Sequence, residues 1–372
     1  MNTSTADVHV VTSLCCGRDH TLALLASGKV IGWGGDGSGR VAPDIPGYCS
    51  TFKAPNHAVE VKLLQPLIAV TAGYGVSLGI TARNEVAIWG ANVAGIGGRH
   101  DAIALATPQL LANLTGARAV IAGEFLFGAI DNAGGVHTWG LNSEGALGRP
   151  TGEINTGPGR IATLPPASSL ALGKGYMLAL MRDGALFGWG NNAAGQLGLG
   201  HLKSVATPEP LRLRAEVRAI AAGATHTVAV TTKGSVLTWG SNHHGQLGRP
   251  DLAYAALPMT VALPEAIRSV AAGMHFSLAL AESGNVYAWG WNGYGQLGLN
   301  DNADRFVATR IPSLERVRAI AAGETHAAAL ISGALIGWGS NATGQIGTAE
   351  RMQLKPTPFF APRNGGEHVA HG

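Results

Sequence analysis

Seven Trp-Gly pairs, at Trp33, Trp89, Trp139, Trp189, Trp239, Trp289 and Trp338, recur at intervals of 50 residues, with one longer step of 56 and one shorter of 49. A glycine precedes each tryptophan by sixteen residues, or fifteen in the last unit: Gly17, Gly73, Gly123, Gly173, Gly223, Gly273 and Gly323. Two independent markers thus count the same seven repeats, which is the signature of an architecture built by stacking similar units. Repeats fill the 372 residues almost from end to end and leave no room for a second core. The expectation is one domain over 8–360, with short tails at 1–7 and 361–372.

Within a unit, short apolar runs rich in Val, Ile, Thr and Trp alternate with Gly, Asn and Ser turns, as in Val217 to Gly248. Runs of four to six residues are too short for helices and suit an antiparallel meander. Lys233-Gly234, Asp183-Gly184 and Ser283-Gly284 stand where a tight hairpin needs a positive φ. A third run holds the tryptophan and a fourth follows a proline, as in Thr207-Pro208-Glu209-Pro210-Leu211. Four strands in each of seven units describe an all-β fold, a seven-bladed β-propeller. Ala221-Ala222-Gly223, Ala271-Ala272-Gly273 and Ala321-Ala322-Gly323 supply the small side chains that strands converging on an axis require. Thr357-Pro358-Phe359-Phe360 follows the seventh unit, and the expectation is that this C-terminal strand joins the N-terminal blade and closes the ring.

Composition narrows the function. Only 13% of residues are charged, the formal net charge is +3, and no Lys/Arg run occurs, which argues against nucleic acid. Three cysteines, two of them the adjacent Cys15 and Cys16, do not make a disulfide framework. Met1 to Asp7 has neither a basic n-region nor an apolar h-region, and no apolar run reaches the roughly 20 residues that span a bilayer. A cytoplasmic protein without a membrane partner is expected.

The motif Gly-x-x-His, alternating apolar residues and then Trp-Gly-x-Asn-x-x-Gly-Gln-Leu-Gly resembles the repeat of the regulator of chromosome condensation family. The match is best at Gly223 to His226 with Trp239 to Gly248, and at Gly323 to His326 with Trp338 to Gly347. The resemblance implies a disc that presents one face to another protein. Relatives include exchange factors for small GTPases, a plant ultraviolet-B photoreceptor and secreted bacterial inhibitors of β-lactamases. It also implies that the two residues after each marker glycine lie on the binding face. Here those are Arg18 and Asp19, Tyr74 and Gly75, Glu124 and Phe125, Lys174 and Gly175, Ala224 and Thr225, Met274 and His275, Glu324 and Thr325. No tryptophan stands in those gaps, which argues against light sensing; no basic N-terminal tail marks a chromatin-bound exchange factor.

His20, His226 and His326 keep the repeat histidine, whereas Val76, Leu126, Tyr176 and Phe276 replace it. The Gly-Gln-Leu-Gly segment also decays to Gly37-Ser38-Gly39-Arg40, Gly95-Ile96-Gly97-Gly98 and Gly145-Ala146-Leu147-Gly148. Irregular loops at 44–57, with Tyr48, Cys49 and Phe52, and at 149–166 fall in the same half, so blades one to four read as the specialised sector. Trp291, beside Asn292 and Tyr294, reads either as a partner anchor or as a plug against the next blade.

Gly293-x-Gly295-x-x-Gly298 and Gly32-x-Gly34-x-x-Gly37 match a dinucleotide pattern but open no helix, and no phosphate-loop, nucleophile-elbow or zincin motif occurs. No cofactor or metal is expected, and the His243-His244 pair reads as a solvated loop. The leading expectation is an interaction protein whose channel face binds another protein, a small GTPase or an enzyme, through Arg18, Asp19, Tyr74, Glu124, Phe125, Lys174, Tyr176, Met274, His275, Glu324 and Trp291. The alternative is a cofactor-independent enzyme for cyclisation or isomerisation of a small apolar molecule. It would use Glu124, Glu324 or Asp19 as base and His275 or Lys174 as acid, in a pocket walled by Tyr74, Phe125 and Tyr176.

Overall fold

The computed structural model describes residues 10–35, 39, 41, 58–92, 104–151 and 155–361. Seven four-stranded antiparallel sheets, over 11–60, 67–115, 117–160, 167–210, 217–261, 267–310 and 319–360, form the blades of a ring. Each inner strand ends at its marker glycine, the second strand starts at the repeat histidine position, the third carries the tryptophan, and the outer one follows a loop. In blade five these are Val217–Ala222, His226–Thr231, Val236–Ser241 and Tyr254–Val261. All seven repeat tryptophans are fully buried, each against a neighbouring blade.

The glycine of each Trp-Gly pair explains itself. Gly240 sits at φ +104, and a Cβ there would stand 2.4 Å from the Thr225 carbonyl oxygen, so only glycine lets the chain turn under the face. The Asn and Gln of the motif then brace the loop that follows. Asn242 Oδ1 accepts the Leu247 N–H at 2.8 Å, and Gln246 Oε1 accepts the His244 N–H at 2.9 Å. Hairpins at Gly184, Gly234 and Gly284 have positive φ as expected. The missing residue of the last unit is a shorter hairpin: Ile331 pairs directly with Ala334, and Ser332 and Gly333 both have positive φ, the signature of a type I′ turn.

Closure differs from the expectation. The C-terminal strand Met352–Phe360 is the outer strand of blade seven and pairs with Ala334–Ser340; blade one takes its own outer strand from Val59–Glu60. The 56-residue step of the first unit holds that strand, and residues 352–360 overlap, counted from Trp338, the stretch that Val205–Pro210 occupies counted from Trp189. The ring instead closes by contact. Glu324 N–H donates to the Gly17 carbonyl at 3.3 Å, the Thr343 hydroxyl donates to the Asp19 carbonyl at 2.9 Å, and Trp33 packs against Phe359 and Phe360 with centroids 5.2 and 5.5 Å away.

The stretch 149–166 is likewise less irregular than its Gly and Pro content suggests. It contains the outer strand of blade three, Asn155–Arg160, and Arg149 Nη2 donates to the carbonyls of Thr138 and Gly157. The 44–57 loop, residues 37, 38 and 40, the Gly95 to Gly98 segment, residues 1–7 and residues 362–372 lie outside the described residues, as does 152–154 within the second loop.

Candidate functional site at the channel mouth

Every inner strand runs toward one face and stops at the marker glycine, so the next residue projects over the channel. Backbone bonds between blades fix this ring: Arg18 N–H donates to Gly73 O (3.1 Å), Tyr74 to Gly123 O (3.0 Å), Ala224 to Met274 O (3.0 Å) and Met274 to Glu324 O (3.1 Å). Together the seven positions rim a depression of about 270 Å³. Arg18, Tyr74, Glu124, Lys174, Met274 and Glu324 line it as the resemblance implies. Its walls are the residues before the glycines, mostly alanine.

Asp19, Phe125 and His275, the second residues of the gaps, do not line the depression and sit one rank outward. Phe125 packs on Tyr74, ring centroids 6.4 Å apart, while Asp19 Oδ1 stands 4.0 Å from His20 Nδ1. His275 lies with His244 at 5.2 Å and Trp291 at 6.2 Å, and Tyr294 packs edge-on to Trp291 at 5.4 Å. Trp291 is therefore half-buried in a cluster of four rings.

Tyr176 is not on the face. It is fully buried, and its hydroxyl donates to the His226 carbonyl at 2.6 Å and lies 3.3 Å from Thr227 Oγ1 in the next blade. It replaces the repeat histidine in a recurring latch. His226 Nε2 meets Ser277 Oγ at 3.0 Å; that hydroxyl donates onward to the Gln246 carbonyl, which makes Nε2 the protonated nitrogen of His226. His20 meets Ser77 and His326 meets Thr21 in the same way. Where Val76, Leu126 and Phe276 stand instead, the facing residues are Phe127, Met177 and Ala327, packed in the same apolar clusters. Departures from the histidine thus mark a change of inter-blade packing, not a specialised face.

Charge at the mouth is paired. Arg18 Nε lies 3.1 Å from Glu324 Oε2, its guanidinium lies 4.1 Å above the Tyr74 ring, and Lys174 Nζ lies 3.8 Å from Glu124 Oε2. Burial raises the Glu324 carboxyl above its ordinary range, Arg18 opposes that, and the Glu124 and Asp19 carboxylates reinforce it. Burial also raises the Tyr74 phenol. His275 is lowered by burial first and then by His244, His243 and Lys174. The two glutamates proposed as bases are thus engaged by cations, and the imidazole proposed as acid is outside the cavity. Among the described residues no three His, Cys, Asp or Glu gather as a metal site would require.

Two lining residues escape a reading based on the gaps alone. Leu172 and Cys16 occupy the position that is alanine in the other five blades. Their signal was the break in the Ala-Gly run. Burial raises the Cys16 thiol to about 12, so it contributes bulk and no thiolate.

The family model of the RCC1-like domain matches residues 105–372, and that of the regulator of chromosome condensation (RCC1) repeat matches residues 11–40. The chain belongs to the RCC1-like family. No curated protein sequence matches it. Among solved structures, this RCC1-like chain is similar to human WBSCR16, with a TM-score of 0.79 and 25% identity over 89% of this chain and 93% of that one. It is also similar to Prp20p of Saccharomyces cerevisiae, with a TM-score of 0.75 and 23% identity over 84% and 80% of the two chains. At that identity the second likeness is one of fold.

Proposed function

We propose that this RCC1-like chain is a protein-interaction disc that docks a partner protein on its channel mouth, in the manner of an exchange factor. The observation that carries this reading is the make-up of the rim. A polar arc runs through Glu324, Arg18, Tyr74, Glu124 and Lys174 on blades seven and one to four. An apolar arc, Ala224 and Met274 with the ring cluster at Trp291, completes it on blades five and six. Aromatic and arginine anchors beside apolar surface are what protein hot spots use. The depression of about 270 Å³ falls just under the roughly 300–1,000 Å³ of small-molecule pockets. The structure of Prp20p was described together with its binding to Gsp1p and histones, which supports a protein partner here and a small GTPase as its class.

The test is capture by the purified protein of GTPases loaded with a fluorescent guanine nucleotide, scored for both binding and nucleotide release. Arg18→Glu and Lys174→Glu change exposed side chains, so both variants should fold and lose the partner. Binding undiminished in both would place the interface elsewhere. A small molecule retained at the mouth in native mass spectrometry, and released by Glu324→Gln, would favour the acid–base alternative.

A further inference from the structure

The opposite end of the inner strands carries a feature unrelated to the channel mouth. In six blades the second residue of the inner strand is skipped by the pairing register: Thr12, Ile68, Arg118, Ser168, Arg218 and Arg268 are bulge residues. A bulge leaves its extra residue unpaired and re-aims the side chain. Arg318 holds the corresponding position in blade seven, immediately before Ala319–Ala322. Four of these seven positions are therefore arginine, set around the far end of the channel roughly 17 Å from the glycine ring, the rise of a six-residue strand.

In Arg118, Arg218 and Arg268 local bonds use part of the guanidinium. Arg118 Nη2 donates to the carbonyls of Ala167 and Ser168, and Arg268 Nη2 to those of Val317 and Arg318, so each reaches across to the next blade. Arg218 does the same to Ile267 and pairs with the exposed Glu282 at 2.7 Å. The nearby Glu265 is occupied by Ser283, Asn285 and Tyr287. Carbonyl contacts hold the forks in place without neutralising them, and a guanidinium has five donors to share. The same collar includes Ile68, which is 56% exposed, and Leu64, four residues earlier in the chain, is 76% exposed.

We infer that the far face is a second docking site, for an acidic segment of a protein that also carries apolar side chains. Fixed guanidinium forks match carboxylates in pairs. Exposed Ile68 within the same collar, with exposed Leu64 shortly before it in the chain, favours a peptide over a phosphate backbone, which has nothing to bury there. The site is independent of the channel mouth and leaves that face open, so the disc can hold two proteins at once.

A fluorescein-labelled peptide of alternating glutamate and leucine is the probe, titrated by anisotropy into the full-length protein at low and high salt, against a glutamine-leucine peptide and duplex DNA of equal charge. The acidic peptide should bind best, weakening as salt rises. Combined Arg118→Gln, Arg268→Gln and Arg318→Gln should cost roughly tenfold or more. Because these arginines also tie blades together, Ile68→Asp provides a second variant that touches no inter-blade bond, and it should weaken the peptide alone. Equal binding of the glutamine peptide, or full binding by a folded triple variant or by Ile68→Asp, would overturn the inference. Tighter binding of DNA than of peptide would overturn it in favour of a phosphate-backbone ligand.

Discussion

At the scale of single residues, the repeat histidine and its substitutes form one partner of a two-residue latch. The other partner is the residue after the histidine position of the next blade around the ring, 51 positions later in the chain for Tyr176 and His226 and back in blade one for His326. Polar faces polar in His20–Ser77, Tyr176–Thr227, His226–Ser277 and His326–Thr21, and apolar faces apolar in Val76–Phe127, Leu126–Met177 and Phe276–Ala327. That matching was readable in the sequence once the pairing rule was known, and would have taken Tyr176 off the binding face. Tyr176→Phe removes one of the two donors to the His226 carbonyl and leaves the Gly223 N–H, so it should cost about 0.5–1.5 kcal/mol in urea unfolding, with partner binding unchanged. Tyr176→His should recover most of that loss, because an imidazole Nε2–H reaches a neighbouring hydroxyl at the equivalent positions.

At the scale of elements, turns and strands follow the local chemistry closely, and the last blade shows both its reach and its limit. The one-residue deletion before Trp338 is absorbed by a two-residue turn at Ser332-Gly333, a purely local event. Strand partnership is not local. Met352–Phe360 could pair with either terminal blade on pattern alone, and only the length of the first unit's loop, with Val59–Glu60 available, decides for blade seven. The seam is then held by side chains: Phe359 and Phe360 against Trp33. Replacing both phenylalanines by alanine should lower stability by about 2–4 kcal/mol, less than two fully buried sites because both rings remain partly accessible. It should also raise protease sensitivity in blades one and seven first, as hydrogen exchange with mass analysis would show. Uniform loosening of all blades would mean that the seam is not the weak point.

At the scale of the whole molecule, the ring makes buried histidines a shared acid liability. Burial holds His226 and His326 at about 3, far under the 6.5 of an exposed imidazole. The unfolded chain takes up protons below about pH 6.5 and the folded one does not until about 3, so stability falls as pH drops through that window. Each histidine contributes about 1.4 kcal/mol per pH unit, and the full stabilising effect is present above about pH 6.5. Acid titration followed by tryptophan fluorescence should show one cooperative loss. The double change His226→Leu with Ser277→Met, which copies the Leu126–Met177 pair, should shift that loss to lower pH. An unchanged midpoint would assign acid unfolding to the carboxylates.

By itself the sequence determined the number of blades, the strands in each, the turn positions and the ring of residues after the marker glycines. The first three follow from periodicity and from backbone constraints that act within a few residues; the ring is what the resemblance to the family implies. Only the tertiary structure decided which blade owns the last strand, that Tyr176 is buried, that Glu324 and Glu124 are held by Arg18 and Lys174, and that arginines collar the far face. Those outcomes depend on which side chains meet across blades far apart in the chain, and on the bulges that turn a strand's second residue outward. A repeat fixes its own unit; distances between units are set when the ring closes.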